Sequence, residues 1–279
     1  MLLKEKILLL LIALLSSGPI NFQQALTPEI AAPLSLRPGD PLIINVPSEV
    51  QSVVVDGQSQ NIALVQGKRL VLYPVPINFK EKVLTVTAQT PYSSSSKSIQ
   101  IIQRPKVEIT QPLFLPPTKE ALAKIEADKT IKAEIPQRIG PQSLFSLLFT
   151  QPLVNSTITS PFYELRVEGP HYGTDLKAKE GLPVKSIGNG KVIFAQKLFL
   201  EGNMVVIDHG SKVISYYLHL SRFADGLSEG KLVKAGDIIG YSGKTGQVTA
   251  AHLHFAMKIN GEFVDPEKFI ATMQDIARQ

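Results

Sequence analysis

The sequence predicts a mainly β protein. It would comprise an N-terminal immunoglobulin-like β-sandwich, a connector helix and a C-terminal domain built on an antiparallel β-sheet. Two observations carry this reading. Short apolar runs recur between Gly, Pro, Asn and Asp, as strands between turns do. Twenty prolines and nineteen glycines punctuate the 279 residues with little helical periodicity. Apolar residues make up 44% of the chain, enough for a core in each of two domains of ordinary size.

Residues 1–25 read as a signal peptide. Lys4 and Lys6 precede the unbroken apolar run Ile7 to Leu15, and Ser16, Ser17 and Gly18 follow. Nine apolar residues are too few for a bilayer span, which needs roughly 20. An exported protein is therefore expected, periplasmic or cell-wall associated, or membrane-anchored if the signal is not cleaved.

Residues 33–110 read as the β-sandwich domain. Leu42 to Val46 is a short strand. Val53-Val54-Val55 runs into Asp56-Gly57, a hairpin signal. Leu70 to Tyr73 and Val83 to Ala88 follow, the latter alternating as a half-buried strand should. Ser93 to Ser96 reads as a polar loop before Ile99 to Ile102. With no His, carboxylate pair or nucleophile constellation, this part is assigned to placement, binding or regulation.

Residues 111–150 form the connector. Pro116-Pro117-Thr118 would cap a helix from Lys119 to about Glu134, which either packs across both domains or stays solvated. Residues 151–279 return to strands. Gly188-Asn189-Gly190 and His209-Gly210 read as hairpin turns, and Asn260-Gly261 closes a last one. Asp265-Pro266 starts a C-terminal helix with Phe269, Met273 and Ile276 toward the sheet.

Composition excludes some functions. The net charge of +5 is scattered, not gathered into a stripe, and Trp is absent, so no nucleic-acid partner is expected. No cysteine exists for a disulfide, a thiolate ligand or a thiol nucleophile. A metal site must use His and carboxylate. The five histidines, His171, His209, His219, His252 and His254, all lie in the C-terminal half.

Three short segments carry the chemistry. In His252-Leu253-His254-Phe255 the two imidazoles share one strand face, with Leu253 and Phe255 pointing into the core. Two adjacent imidazoles suggest a metal or a division of labour. In Tyr216-Tyr217-Leu218-His219-Leu220, alternation groups His219 with Tyr217 and Ser215. In His171-Tyr172-Gly173-Thr174-Asp175 the spacing brings a nitrogen and an oxygen donor to one face, with Gly173 allowing a bend. Two His and one carboxylate leave a fourth zinc position open, the composition of a catalytic site. The remaining two His could then serve as base and transition-state stabiliser.

Residues 157–270 resemble the LytM or lysostaphin-type zinc peptidases, family M23. His171-x-x-x-Asp175 matches the family's first metal motif and His252-Leu253-His254 its His-x-His motif. Tyr217-Leu218-His219-Leu220-Ser221 matches its Tyr-Ala-His-Leu-Ser segment. Ile158 to Phe162, Gly202 to Gly210 and Val233 to Gly240 match in order and spacing.

The resemblance implies a C-terminal β-sheet peptidase domain with zinc held by His171, Asp175 and His254. It implies His252 as the general base that activates water and His219 as the group that stabilises the oxyanion. The substrate would be peptide cross-links of peptidoglycan, with a regulatory protein as a further partner class. His209 falls in a turn and reads as structural. The chain departs from the family at Thr249-Ala250-Ala251, where Thr-Gly-Pro is usual, and at Phe162-Tyr163-Glu164-Leu165-Arg166, where Phe-Gly-x-Arg is common. Both departures are expected at the groove rim.

Other readings fare worse. Gly243-Lys244-Thr245 lacks the glycine a phosphate loop needs at Ile238. Ala256-Met257-Lys258-Ile259 hints at a biotin-carrier hairpin but leaves the ordered His and Asp positions unexplained. The alternative within the same fold is a non-catalytic wall-binding or amidase-regulating module.

Overall fold

The structure is a computed structural model and describes residues 27–104, 117–140, 144–166 and 169–279. The expected signal peptide, 1–25, lies outside the described residues. Among the described residues no helix is long and apolar enough to cross a membrane.

The N-terminal half contributes β1 (Ser35–Leu36), β2 (Pro41–Asn45), β3 (Ser52–Val55), β4 (Gln58–Gln60), β5 (Ile62–Val65), β6 (Lys68–Pro74), β7 (Val83–Gln89) and β8 (Ser94–Ile101). They form a five-stranded sheet, β1-β8-β7-β3-β4, and a three-stranded sheet, β2-β6-β5. Leu42, Ile44, Val53, Val71, Leu84, Val86 and Ile99 share one apolar core drawn from both sheets. Val55 lies opposite Gln58, so Asp56 and Gly57 make the expected two-residue turn, both with positive φ. The serine run differs from expectation. Ser94, Ser95 and Ser96 belong to β8, paired with Gln89, Ala88 and Thr87. Their small side chains lie partly or fully exposed, and Ser96 Oγ is 2.8 Å from Thr87 Oγ1. Pairing to a good strand outweighs the turn preference of serine here.

The connector helix α1 (Lys119–Ala133) starts where Thr118 accepts a hydrogen bond from the Ala121 N–H. None of its residues is buried. It leans on the C-terminal half through an ion pair of Lys132 with Glu201 and through Asp128, which accepts from the Phe199 N–H. A 3₁₀ turn, Ile135–Arg138, anchors it, with Ile135 buried among Ile193, Phe194, Met204 and Ile214. The helix is thus largely solvated and fixed at its C-terminal end.

The C-terminal half contributes β9 (Ile158–Ser160), β10 (Leu165–Arg166), β11 (Gly169–Pro170), β12 (Thr174–Lys177), β13 (Pro183–Lys185), β14 (Gly190–Leu198), β15 (Gly202–Asp208), β16 (Val213–Leu220), β17 (Arg222–Phe223), β18 (Leu232–Val233), β19 (Ile238–Tyr241), β20 (His252–Ile259) and β21 (Glu262–Val264). The main sheet runs β18-β14-β15-β16-β20-β12-β9, with β21 also paired to β20. A smaller sheet runs β13-β19-β17. Gly188-Asn189-Gly190 therefore does not close a hairpin. β13 pairs with β19 and β14 with β15 and β18, so the turn passes the chain between sheets. Helix α2 (Pro266–Arg278) starts at the Asp265 cap and buries Phe269, Ile270, Met273 and Ile276, as its spacing predicts. Phe269 meets Phe149 edge-on at 5.0 Å between ring centroids. This core fixes the opposite face of the sheet that carries the histidines.

Candidate active site

Strand alternation places the first pair. Leu253 and Phe255 are fully buried in the core, while His252 and His254 project to the other face. β12 runs antiparallel beside them with Asp175 opposite His254. His171 precedes β12 and reaches the same point from its loop. Gly173 is small because a Cβ there would stand 2.6 Å from His254 Nε2 and 2.8 Å from the Phe255 carbonyl oxygen. The glycine makes room for an imidazole, a requirement beyond the bend expected of it.

The three donor atoms converge. His254 Nδ1 is 2.9 Å from Asp175 Oδ1, His171 Nε2 is 3.2 Å from that oxygen, and the two nitrogens are 3.0 Å apart. Donors of a tetrahedral zinc centre with bonds of about 2.0–2.1 Å stand roughly 3.3 Å apart. The donor set and spacing fit such an ion, and His171, Asp175 and His254 are a group that could hold one. Burial resists ionisation of Asp175, but the adjoining His171 and His254 imidazoles hold its carboxyl well below the usual carboxylate range. Asp175 thus stays an anion, as a ligand must.

His219 reaches the site by an irregularity. Simple alternation would send it into the core beside Tyr217, which packs on Phe255 at 5.4 Å. Between Leu220 and Tyr217, β16 advances three residues while β15 advances two, from Asn203 to Val205. His219 takes up the extra residue at φ 63°. This bulge turns the ring back over the opposite face, 4.9 Å from His252 and 6.1 Å from His254 between centroids. The expectation that His219 shares a face with Tyr217 and Ser215 is corrected, yet His219 does join the other histidines.

Main-chain carbonyls set the tautomers. Pro161 O, Thr245 O and Ala250 O lie 3.1, 3.0 and 2.9 Å from Nδ1 of His171, His219 and His252. A carbonyl only accepts, so each Nδ1 carries the proton and each Nε2 is left bare. Burial, then the neighbouring His254 and His252, pushes His219 down to about 3, which keeps it neutral. The site therefore combines a three-donor cluster with two further imidazoles presenting bare nitrogens.

The residues at the expected rim stand close behind the metal donors. Arg166 donates to Asp175 Oδ2 at 2.8 Å and to Ser160 Oγ, and Ser160 also bonds Glu164. These supports were not legible as such; Glu164 and Arg166 stood in a departing motif and Ser160 in a matching one. Tyr163 takes a left-handed φ of 66°, a conformation natural to the glycine common at this point.

His209 stands apart, as expected. It is fully buried, with Nδ1 2.7 Å from Asn189 O and Nε2 2.7 Å from Ser215 Oγ. Burial pushes it down to about 4, so it folds neutral. An unfolded chain protonates it near the ordinary value of 6.5. The unfolded state therefore holds more protons between these values, and stability falls as pH drops from about 6.5 to about 4. The contribution is on the order of 3 kcal/mol. Urea titrations with a chelator present should show a flatter acid limb for His209→Gln than for the native protein. Parallel limbs would rule the assignment out.

Residues 169–266 match the family model described as Peptidase family M23. The chain is 39% identical over 121 residues to the DD-carboxypeptidase/endopeptidase Mpg of Neisseria meningitidis serogroup B, covering 42% of this chain and 27% of that protein. It is 42% identical over 99 residues to the peptidoglycan DD-endopeptidase ShyB of Vibrio cholerae, covering 36% and 23%. The chain thus spans about a quarter of the length of these curated relatives. A crystal structure described as a peptidase M23 from Pseudomonas aeruginosa superposes with a TM-score of 0.61 at 24% identity, covering 84% of this chain and 93% of that one. That likeness is one of fold.

Proposed function

With residues 169–266 a peptidase family M23 domain, we propose that the protein is a zinc-dependent endopeptidase hydrolysing peptide cross-links of bacterial peptidoglycan. The observation that carries this reading is the convergence of His171, Asp175 and His254 beside the bare Nε2 atoms of His252 and His219.

When bound, zinc supplies a Lewis acid that polarises the scissile carbonyl and makes water more acidic. His171, Asp175 and His254 would hold it. Arg166 keeps Asp175 aimed by holding its second oxygen. His252 Nε2 takes the proton of the attacking water and returns it to the leaving amine as the C–N bond breaks. His219 Nε2 accepts a hydrogen bond from the second O–H of the same water; taking that proton as the water adds, it becomes the N–H donor to the developing oxyanion and then releases the proton to the departing amine, which leaves as an ammonium. The β-rich N-terminal half is assigned to placement, binding or regulation of this unit. Export is part of this reading, since peptidoglycan lies outside the cytoplasm.

The test pairs metal content with product. Purified protein should hold one zinc per chain and release new amine termini from purified sacculi. Zinc without hydrolysis would favour the wall-binding or amidase-regulating alternative. Hydrolysis undiminished after chelation would end the metallopeptidase reading.

A further inference from the structure

We infer that Arg104, in the N-terminal half, is a positioning residue for the metal centre, acting through the strap of residues 160–166. The inference rests on the metal-centre reading above. The Arg104 guanidinium lies 5.2 Å from the Phe162 ring centroid and 5.6 Å from that of Tyr163. It is itself held on both sides. It pairs with Asp40 Oδ1 at 2.8 Å, donates through Nε to Pro38 O at 2.7 Å, and stands 3.7 Å from Asp265 Oδ2. Asp40 is buried and also takes Lys268 Nζ at 2.6 Å. The Asp265 N–H donates to Gly39 O at 2.8 Å. Arg104 thus sits at the seam between the N-terminal half and helix α2.

Phe162 is wedged into the same seam. It is 4% exposed, and a Cβ on Gly39 would fall 2.4 Å from its Cε1. Tyr163 beside it keeps a left-handed backbone that a non-glycine residue holds only when its surroundings fix it. Arg104 over both rings is part of that fixing.

The strap then carries the constraint to the ligands. Pro161 O accepts from His171 Nδ1. The Tyr163 N–H donates to His171 O at 2.7 Å, and the His171 N–H donates to Glu164 O at 2.8 Å. Arg166 at its end binds Asp175 Oδ2. The rings under Arg104 therefore lie between the contacts that orient two of the three donors.

Full-length Arg104→Met keeps apolar bulk on the rings and removes the fork. Its zinc affinity, measured by competition with a chromogenic chelator, should fall about tenfold or more, within the range typical of outer-shell changes. Circular dichroism should stay native. Arg104→Lys should not restore affinity, because an ammonium cannot pair with Asp40, bond Pro38 and cover two rings together. Tyr163→Ala removes one ring while leaving the Arg104–Asp40 pair, and should lose affinity too. The double variant Arg104→Met/Tyr163→Ala should be less than additive. If Arg104→Met does not fold, Tyr163→Ala alone decides. Native affinity in a folded Arg104→Met, or in Tyr163→Ala, would overturn the inference. A native protein that takes up no zinc would instead overturn the metal-centre reading.

Discussion

Replacing His254 with alanine is expected to remove zinc and hydrolysis together, whereas His252→Ala is expected to keep zinc and lose turnover. The two residues share a strand face two positions apart, so the pair isolates chemistry from place. His254 Nδ1 lies within 3.0 Å of both other donors. Its loss leaves two ligands and an anionic Asp175 without one of its hydrogen-bond partners. His252 Nε2 is farther out, 3.7 Å from Asp175 Oδ1, and its Nδ1 is tied to Ala250 O. It can reach a water without being a ligand. General-base removal typically costs roughly 10²- to 10⁴-fold in rate. Metal content and initial rate on sacculi would be measured for both variants. Zinc lost from His252→Ala and kept in His254→Ala would reverse the roles. Native rates in both would dismiss the peptidase.

His219→Ala should also keep zinc and lose about 10²- to 10³-fold in turnover, the range seen when a group stabilising the oxyanion is removed. The bulge that carries it adds a second arm. A residue at φ 63° is strained unless it is glycine. His219→Gly should therefore relieve the backbone while removing the imidazole, and resist urea better than His219→Ala. The expected result is two variants equal in activity and unequal in stability. If His219→Ala turned over at the native rate, His219 would be structural and His252 would act alone.

Regular periodicity made part of this site readable and irregularity hid the rest. His252 and His254 could be placed on one face because a strand repeats every two residues, and Leu253 and Phe255 confirm the phase by being fully buried. His219 could not be placed that way, since nothing in Tyr217-Leu218-His219-Leu220 announces an extra residue in the ladder. Gly188-Asn189-Gly190 signals a turn but not the partner of the strand that follows it. Ser94 to Ser96 have turn composition, yet β7 supplies a partner that local sequence does not reveal. Arg104 was silent for a further reason. An arginine acquires its role from what the fold sets before it, and Asp40 and Phe162 come from distant parts of the chain.

The carbonyls behind His171, His219 and His252 have an evolutionary consequence. Each imidazole takes its protonation pattern from Pro161, Thr245 or Ala250, and from the backbone of each, not its side chain. A mutation at those positions changes what projects from the chain but leaves the acceptor in place, provided the backbone path holds. The groove can therefore be resculpted for a new substrate while the acid–base state of its histidines is inherited unaltered. Ala250, where a glycine is usual in the resembling family, is such a case: it carries a methyl group and its oxygen faces His252 Nδ1 at 2.9 Å.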